Sequence, residues 1–79
     1  MARIEVKMPQ WGMGMNEGTV TKWLKSVGDD IQVGEEIVEV EAAKANGAVE
    51  ASDAGRLVEI VAQEGEEIPV GDVLCIIES

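Results

Sequence analysis

Gly28-Asp29-Asp30-Ile31-Gln32-Val33-Gly34-Glu35-Glu36-Ile37-Val38-Glu39-Val40-Glu41 returns 37 positions later as Gly65-Glu66-Glu67-Ile68-Pro69-Val70-Gly71-Asp72-Val73-Leu74-Cys75-Ile76-Ile77-Glu78. Glycines fall on glycines, Asp29, Asp30, Glu35 and Glu41 on Glu66, Glu67, Asp72 and Glu78, and Ile31, Val33, Ile37 and Val40 on Ile68, Val70, Leu74 and Ile77. The register extends upstream without a gap, placing Gly18 on Gly55, Val20 on Leu57 and Leu24 on Val61. A repeat of this kind makes the chain two copies of one four-strand unit. Neither copy can bury an apolar face alone. Packed sheet on sheet about a pseudo-twofold axis they can, which predicts an all-β fold: a flattened eight-stranded barrel or sandwich of two four-stranded antiparallel sheets.

The strands read as short alternating runs between turn signals. Arg3 to Met8 alternates, with Ile4, Val6 and Met8 on one face, and Pro9 ends it because proline cannot donate a ladder hydrogen bond. Thr19 to Leu24, Ile31 to Val33, Ile37 to Glu41, Ala48 to Ala51, Arg56 to Val61, Ile68 to Val70 and Val73 to Ile77 complete the set. Gln10 to Gly18, with Trp11, Gly12, Met13, Gly14, Met15, Asn16 and Glu17, has no period and reads as a surface loop. No stretch carries a helical period of useful length.

Between Glu39 and Ala51 two acidic alternating runs meet at Ala42-Ala43-Lys44-Ala45-Asn46-Gly47, with Asn46-Gly47 as a turn signal. Ala42, Ala43 and Ala45 carry nothing beyond Cβ, and no other lysine occurs from Ser26 to Ser79. Lys44 is thus a lysine on a small-residue turn that another protein can reach. The repeat gives it an address, because Glu41 precedes the turn while its mate Glu78 precedes the C-terminus. The turn is expected at one end of the molecule and both termini at the other. Val6 to Gly18 spans twice the distance of Val49 to Gly55, so the first half carries an extra loop, which the symmetry places at the lysine end.

Composition bounds the chemistry. Seventy-nine residues make one domain, spanning 1–79, with a core that is just adequate. Only Trp11 and Trp23 are aromatic, so that core must come from Val, Ile, Leu and Ala. A net charge of −10 leaves no basic patch and argues against nucleic acid or an anionic membrane as partner. No apolar run approaches the roughly 18 residues of a membrane span. Met1-Ala2-Arg3-Ile4-Glu5 lacks the apolar stretch of a signal peptide and has no transit-peptide character, so a cytoplasmic, monomeric domain is expected. Cys75, the only cysteine, sits in Val73-Leu74-Cys75-Ile76-Ile77 as a small buried apolar residue. There is no histidine, hence no zinc set or nucleophile-base triad, and no phosphate loop. The expectation is a non-catalytic module with no metal and no catalytic residue.

With Met8-Pro9, the Gly12 and Met15 spacing, Glu17-Gly18-Thr19, Trp23-Leu24-Lys25, Gly28-Asp29, Gly34-Glu35, Glu41 followed by Lys44-Ala45, Val49-Glu50 and Gly55, the chain resembles the lipoyl domains of dihydrolipoamide acyltransferase (E2) components of 2-oxo acid and acetoin dehydrogenase complexes, within the wider biotinyl/lipoyl carrier family. The resemblance covers nearly the whole chain. It implies that Lys44 is joined in amide linkage to lipoic acid by a lipoate-attaching enzyme. It also implies a swinging arm: the group accepts an acyl unit from a thiamine-dependent first component (E1), delivers it to coenzyme A at the E2 catalytic domain, and is reoxidised by a flavin-dependent dehydrogenase (E3).

A lysine amine with an ordinary pKa near 10.4 is a poor nucleophile at neutral pH, so modification waits for an enzyme that binds the turn. Glu41, Ala42, Ala43, Ala45 and Asn46 are the turn residues such an enzyme would meet. Trp11, Met13, Met15, Glu17 and Glu50 are candidates for partner recognition, although Trp11 and Trp23 also read as packing residues. Glu17, Glu39, Glu41 and Glu50 also read as a solvated acidic surface that discourages strand pairing between molecules. Most lipoyl domains have aspartate where Ala43 stands, and biotin carriers usually have methionine on both sides of the lysine. A biotin carrier for a carboxylase or decarboxylase, and an unmodified interaction module, therefore stay open beside the lipoyl carrier.

Overall fold

The computed structural model describes residues 2–43 and 45–79. Eight strands are found among them: β1 (Arg3–Lys7), β2 (Glu17–Trp23), β3 (Asp30–Ile31), β4 (Glu36–Glu41), β5 (Asn46–Glu50), β6 (Gly55–Ile60), β7 (Glu67–Pro69) and β8 (Val73–Glu78). They form two four-stranded antiparallel sheets, ordered β1-β8-β6-β3 and β5-β4-β2-β7. Exchanging β1 with β5, β2 with β6, β3 with β7 and β4 with β8 turns one order into the other. The repeat seen in the sequence is thus a symmetry of the fold.

It holds bond by bond. Gly28 N–H donates to Leu57 O at 2.7 Å, and the mate Gly65 N–H donates to Val20 O at 2.7 Å. Leu57 N–H to Asp29 O and Val20 N–H to Glu66 O, each 2.9 Å, repeat the same exchange. The side chains that cap these turns are duplicated as well: Asp29 accepts from Ser26 N–H at 2.8 Å and Glu66 from Gln63 N–H at 2.7 Å. Even the register shifts are mates, at Val20/Lys22 and at Leu57/Glu59.

The sheets are not the two halves. The short strand β3 leaves its own half to pair with β6, and β7 leaves its half to pair with β2. Each half therefore closes the sheet of the other. The exchange follows from the turns after β2 and β6, whose glycine and acid are hydrogen-bonded to the opposite half before the short strand begins. Two residues cannot hold a ladder alone, so β3 is stable only as an edge on a partner strand. The strand expected to run to Val33 accordingly stops at Ile31, and Val33 is exposed.

Two apolar clusters fill the space between the sheets. One holds Met8, Val20, Val38, Val40, Val49, Ala62 and Leu74, the other Ile31, Ile37, Ala51, Leu57, Cys75 and Ile77. The symmetry exchanges them, Val20 for Leu57, Val38 for Cys75, Val40 for Ile77 and Leu74 for Ile37. Trp23 packs against both and donates its Nε1–H to Ala62 O at 2.9 Å, so the indole satisfies its one polar atom while bridging the clusters. Among the described residues no polar or charged side chain is buried. The Cys75 thiol lies inside this core, and desolvation pushes it up to about 12 from an ordinary 9.0.

The repeated glycines of β2 and β6 are set by close packing. A Cβ on Gly18 would stand 2.6 Å from Val40 Cγ1, and one on Gly55 would stand 2.7 Å from Ile77 Cγ2, the symmetry mate of Val40. The Gly55 Cβ would also meet the Glu78 backbone oxygen at 2.7 Å, which cannot swing aside. Gly55→Ala is therefore expected to cost about 1–3 kcal/mol, and Gly18→Ala less because Val40 and Met8 are side chains that can shift; urea unfolding of the two variants measures the difference. Cys75 is expected to resist a thiol reagent in the native protein at pH 8 and react fully in denaturant. Because its folded pKa is raised, its contribution is intact below pH 9 and is lost as pH climbs toward 12, which unfolding curves across that window would show.

Candidate functional site

The end of the molecule beyond Glu41 is built from two connections. The first joins β4 to β5. Glu41 pairs with Asn46, Val40 with Gly47 and Glu39 with Ala48, and Ala42 N–H donates to Ala45 O at 2.7 Å, closing the hairpin across positions 43 and 44. Lys44, the predicted attachment residue, lies outside the described residues. Its neighbours on both sides are methyl-sized. At the opposite end the mates of Ala42 and Ala45 are Ser79 and Ala2, which exchange Ser79 N–H to Ala2 O at 3.0 Å and Ala2 N–H to Ser79 O at 3.2 Å. The two termini thus sit together at the far end, as the repeat requires.

Asn46-Gly47 does not form the turn. Both residues belong to β5, and the connection is Ala42 to Ala45 instead. Gly47 instead faces the loop. Atoms Cη2, Cζ3 and Cζ2 of Trp11 stand 3.4, 3.6 and 3.7 Å from the point a Cβ on Gly47 would occupy, so the indole lies on the bare backbone of β5. A methyl at 47 would make ordinary contact with the ring, and only a side chain longer than alanine's would lift it off.

The second connection, between β1 and β2, supplies that indole. Met15 packs against the first core cluster and anchors the loop. Its carbonyl accepts from Gln10 Nε2 at 3.1 Å, its sulfur from Trp11 N–H at 3.3 Å, and its own N–H donates to Gly12 O at 3.2 Å. The loop is thereby folded onto the hairpin, at the end where the symmetry places it. Between them lies a groove of about 250 Å³, walled by Trp11, Met13 and Met15 on one side and Ala42, Ala43 and Ala45 on the other. Met13 is 100% exposed.

The acidic candidates divide. Glu17 borders the groove and, with Glu41 and Glu67, rims a second depression reaching Ala42 and Ala43. Glu67 was not foreseen, because it arrives through the β2–β7 pairing, Thr19 opposite Glu67, between residues distant in the chain. Glu50 stands apart, opposite Glu36 at the other end of β5 and four residues from Asn46, roughly 13 Å along an extended strand. It does not join the loop and the hairpin.

The other lysines are held differently. Lys22 is in β2, facing Glu39 across the ladder, and Lys7 lies 4.0 Å from Glu5. Lys25 follows the end of β2 rather than continuing it, and its Nζ is 2.6 Å from Glu35 Oε2. That hydrogen bond raises the Lys25 pKa, and the same bond, aided by Gln32 N–H, lowers that of Glu35. Among the described residues no cluster of potential metal ligands occurs.

Comparison with known proteins places this geometry. Residues 4–77 match the family model Biotin_lipoyl, described as biotin-requiring enzyme. The dihydrolipoyllysine-residue acetyltransferase component of the acetoin cleaving system of Cupriavidus necator is 49% identical over 71 residues, covering 90% of this chain and 19% of that protein. The solution structure of the lipoyl domain of the 2-oxoglutarate dehydrogenase complex from Azotobacter vinelandii superposes with a TM-score of 0.77 at 32% identity, over 96% of each chain. Kluyveromyces lactis urea carboxylase contains the same fold, with a TM-score of 0.83 at 22% identity over 99% of this chain and 6% of that one. The chain spans about a fifth of the length of the curated relatives it matches.

The Lys25–Glu35 pair generates a pH prediction. The lowered Glu35 stabilises the fold above its ordinary 4.5, and that stability is lost as pH falls through the lower folded value; the raised Lys25 acts in reverse, losing its contribution above 10.5. Glu35→Gln should flatten both flanks of the stability–pH curve while leaving the end around Ala42 to Ala45 unchanged by NMR.

Proposed function

The chain belongs to the Biotin_lipoyl family, and from that membership we propose that it presents a lipoyl group on Lys44 as the carrier domain of an acyltransferase complex. A domain of this family is an attachment module, and the catalytic work lies in other domains. The observation that carries the reading is the closed Ala42–Ala45 connection, with methyl-sized residues on either side of the lysine and both termini at the opposite end. A carrier needs a tether behind it and a clear path in front. Tethering replaces a bimolecular encounter by a high local concentration that depends on linker and arm length.

The flanking residues fit such a group. Ala43 and Ala45 leave space around the lysine, and Trp11, Met13 and Met15 offer an apolar wall to an aliphatic arm and a sulfur-containing ring. A lipoyl group would supply a cyclic disulfide capable of redox and acyl-transfer chemistry. The chain's own part is to hold the attachment lysine on a stiff two-stranded base and to show partner enzymes the loop and the rim of Glu17, Glu41 and Glu67. The partners proposed are a lipoate-attaching enzyme, a thiamine-dependent first component, an acyltransferase domain and a flavin-dependent dehydrogenase. The relatives in acetoin and 2-oxoglutarate systems support lipoate over biotin, since the carboxylase likeness is one of fold alone.

Intact mass after coexpression with a lipoate-attaching enzyme and lipoate is expected to show one lipoyl increment, and coexpression with a biotin ligase and biotin none. Lys44→Arg should abolish the increment. Persistence of the increment in that variant would move the site, and a biotinyl increment with avidin binding would replace the lipoyl reading.

A further inference from the structure

Trp11 is the contact between the loop and the hairpin that the symmetry of the fold does not explain. Gly47 pairs with Val40, and its symmetry mate Ile4 pairs with Ile77. At the mate end, the connection between β5 and β6 is the four residues Ala51-Ser52-Asp53-Ala54, with no aromatic among them. That half of the molecule forms the same ladder with Ile4, packed against the second cluster, where the other half has Gly47. The indole on Gly47 is thus an addition to a strand whose counterpart, β1, carries its own side chain at that place.

The addition is tied to the core at one end and to the hairpin at the other. Met15 is seated in the first cluster, Trp11 N–H is held on its sulfur at 3.3 Å, and the benzo edge of the indole rests on β5 one residue beyond Asn46, which opens the strand. Trp11 is 37% exposed, so the ring does not complete the core. Its buried face is spent on the strand leading out of the Ala42–Ala45 connection. Among the described residues β5 is an edge strand, hydrogen-bonded to β4 alone, and the end of an edge strand opens more readily than the interior of the sheet; a flat aromatic pinned on it resists that opening.

We propose that Trp11 is a positioning residue of the attachment hairpin: by seating its indole on Gly47 it fixes the direction in which the β4–β5 connection is offered to the modifying enzyme. The inference rests on the assignment of Lys44 as the attachment residue, but its physical part does not. The effect is mechanical and local, so it should be visible as exchange of β5 amides as well as in the rate of modification.

The mate strand provides the control. In Trp11→Ala, exchange of the Gly47 amide, which lies in the hydrogen-bonded pair with Val40, should quicken at least tenfold, while its mate, the Ile4 amide opposite Ile77, remains within twofold of wild type. The KM for lipoylation of the domain should rise severalfold with a smaller change in kcat. Trp11→Phe should restore most of both, and Gly47→Leu, which lifts the ring without removing it, should reproduce Trp11→Ala. Unchanged exchange at Gly47, or exchange that quickens equally at Gly47 and Ile4, overturns the proposal, as does an unchanged KM beside a faster-exchanging hairpin. Should Trp11→Ala fail to fold, the Phe and Leu variants carry the same comparison. Absence of lipoyl on the wild-type domain would instead overturn the attachment assignment, with the exchange data still deciding the brace.

Discussion

The exchange of short strands holds this protein together. β3 and β7 each contribute only a few residues, and each lies on the sheet begun by the other half, where Ile31 faces Gly55 and Ile68 faces Gly18. At those two glycines the absent side chain lets Val40 and Ile77 close over the backbone. Pairing and packing therefore meet at the same two points. Neither half can satisfy its ladder or cover its apolar face until the other is in place, so folding of the two halves is one cooperative event despite the small size of the core.

From that constraint follows the geometry of the end that carries the β4–β5 connection. Two equivalent halves joined head to tail must have one linking connection, and the twofold axis sends that connection and the pair of termini to opposite ends of a body measuring 35 × 21 × 18 Å. The β4–β5 hairpin is stiff because it continues a ladder anchored by Val38 and Val49 in the core. Asymmetry enters only where the first half carries extra chain. The loop from Met8 to Asn16 adds an aromatic, an anchor and an apolar wall to one end, turning an ordinary hairpin into a surface with a direction.

The charge is spread in a way that suits presentation. Arg3 and Arg56 lie on β1 and β6, each within reach of acids of their own sheet and its edge. Around Ala42 and Ala43 the rim is Glu17, Glu41 and Glu67. Such exposed pairs add little stability, roughly 0–1 kcal/mol each. Their distribution matters more for encounter, since an acidic end attracts basic surfaces and repels its own copies.

Much of this was legible in the residues. The repeat of Gly28–Glu41 in Gly65–Glu78 determined the strand set, the twofold relation, the end that carries the β4–β5 connection and the end to which the extra loop belongs, because a gapless repeat leaves one symmetric way to bury both apolar faces. What the tertiary structure alone decided was which strand closes which sheet, that Glu67 joins the rim while Glu50 does not, and what Gly47 is for. A local signal such as Asn46-Gly47 reports backbone freedom without saying how it is used. Here Gly47 sits in an ordinary strand without a positive φ, and its missing side chain leaves space for Trp11, 36 positions earlier; only the packed chain brings that indole and that strand together.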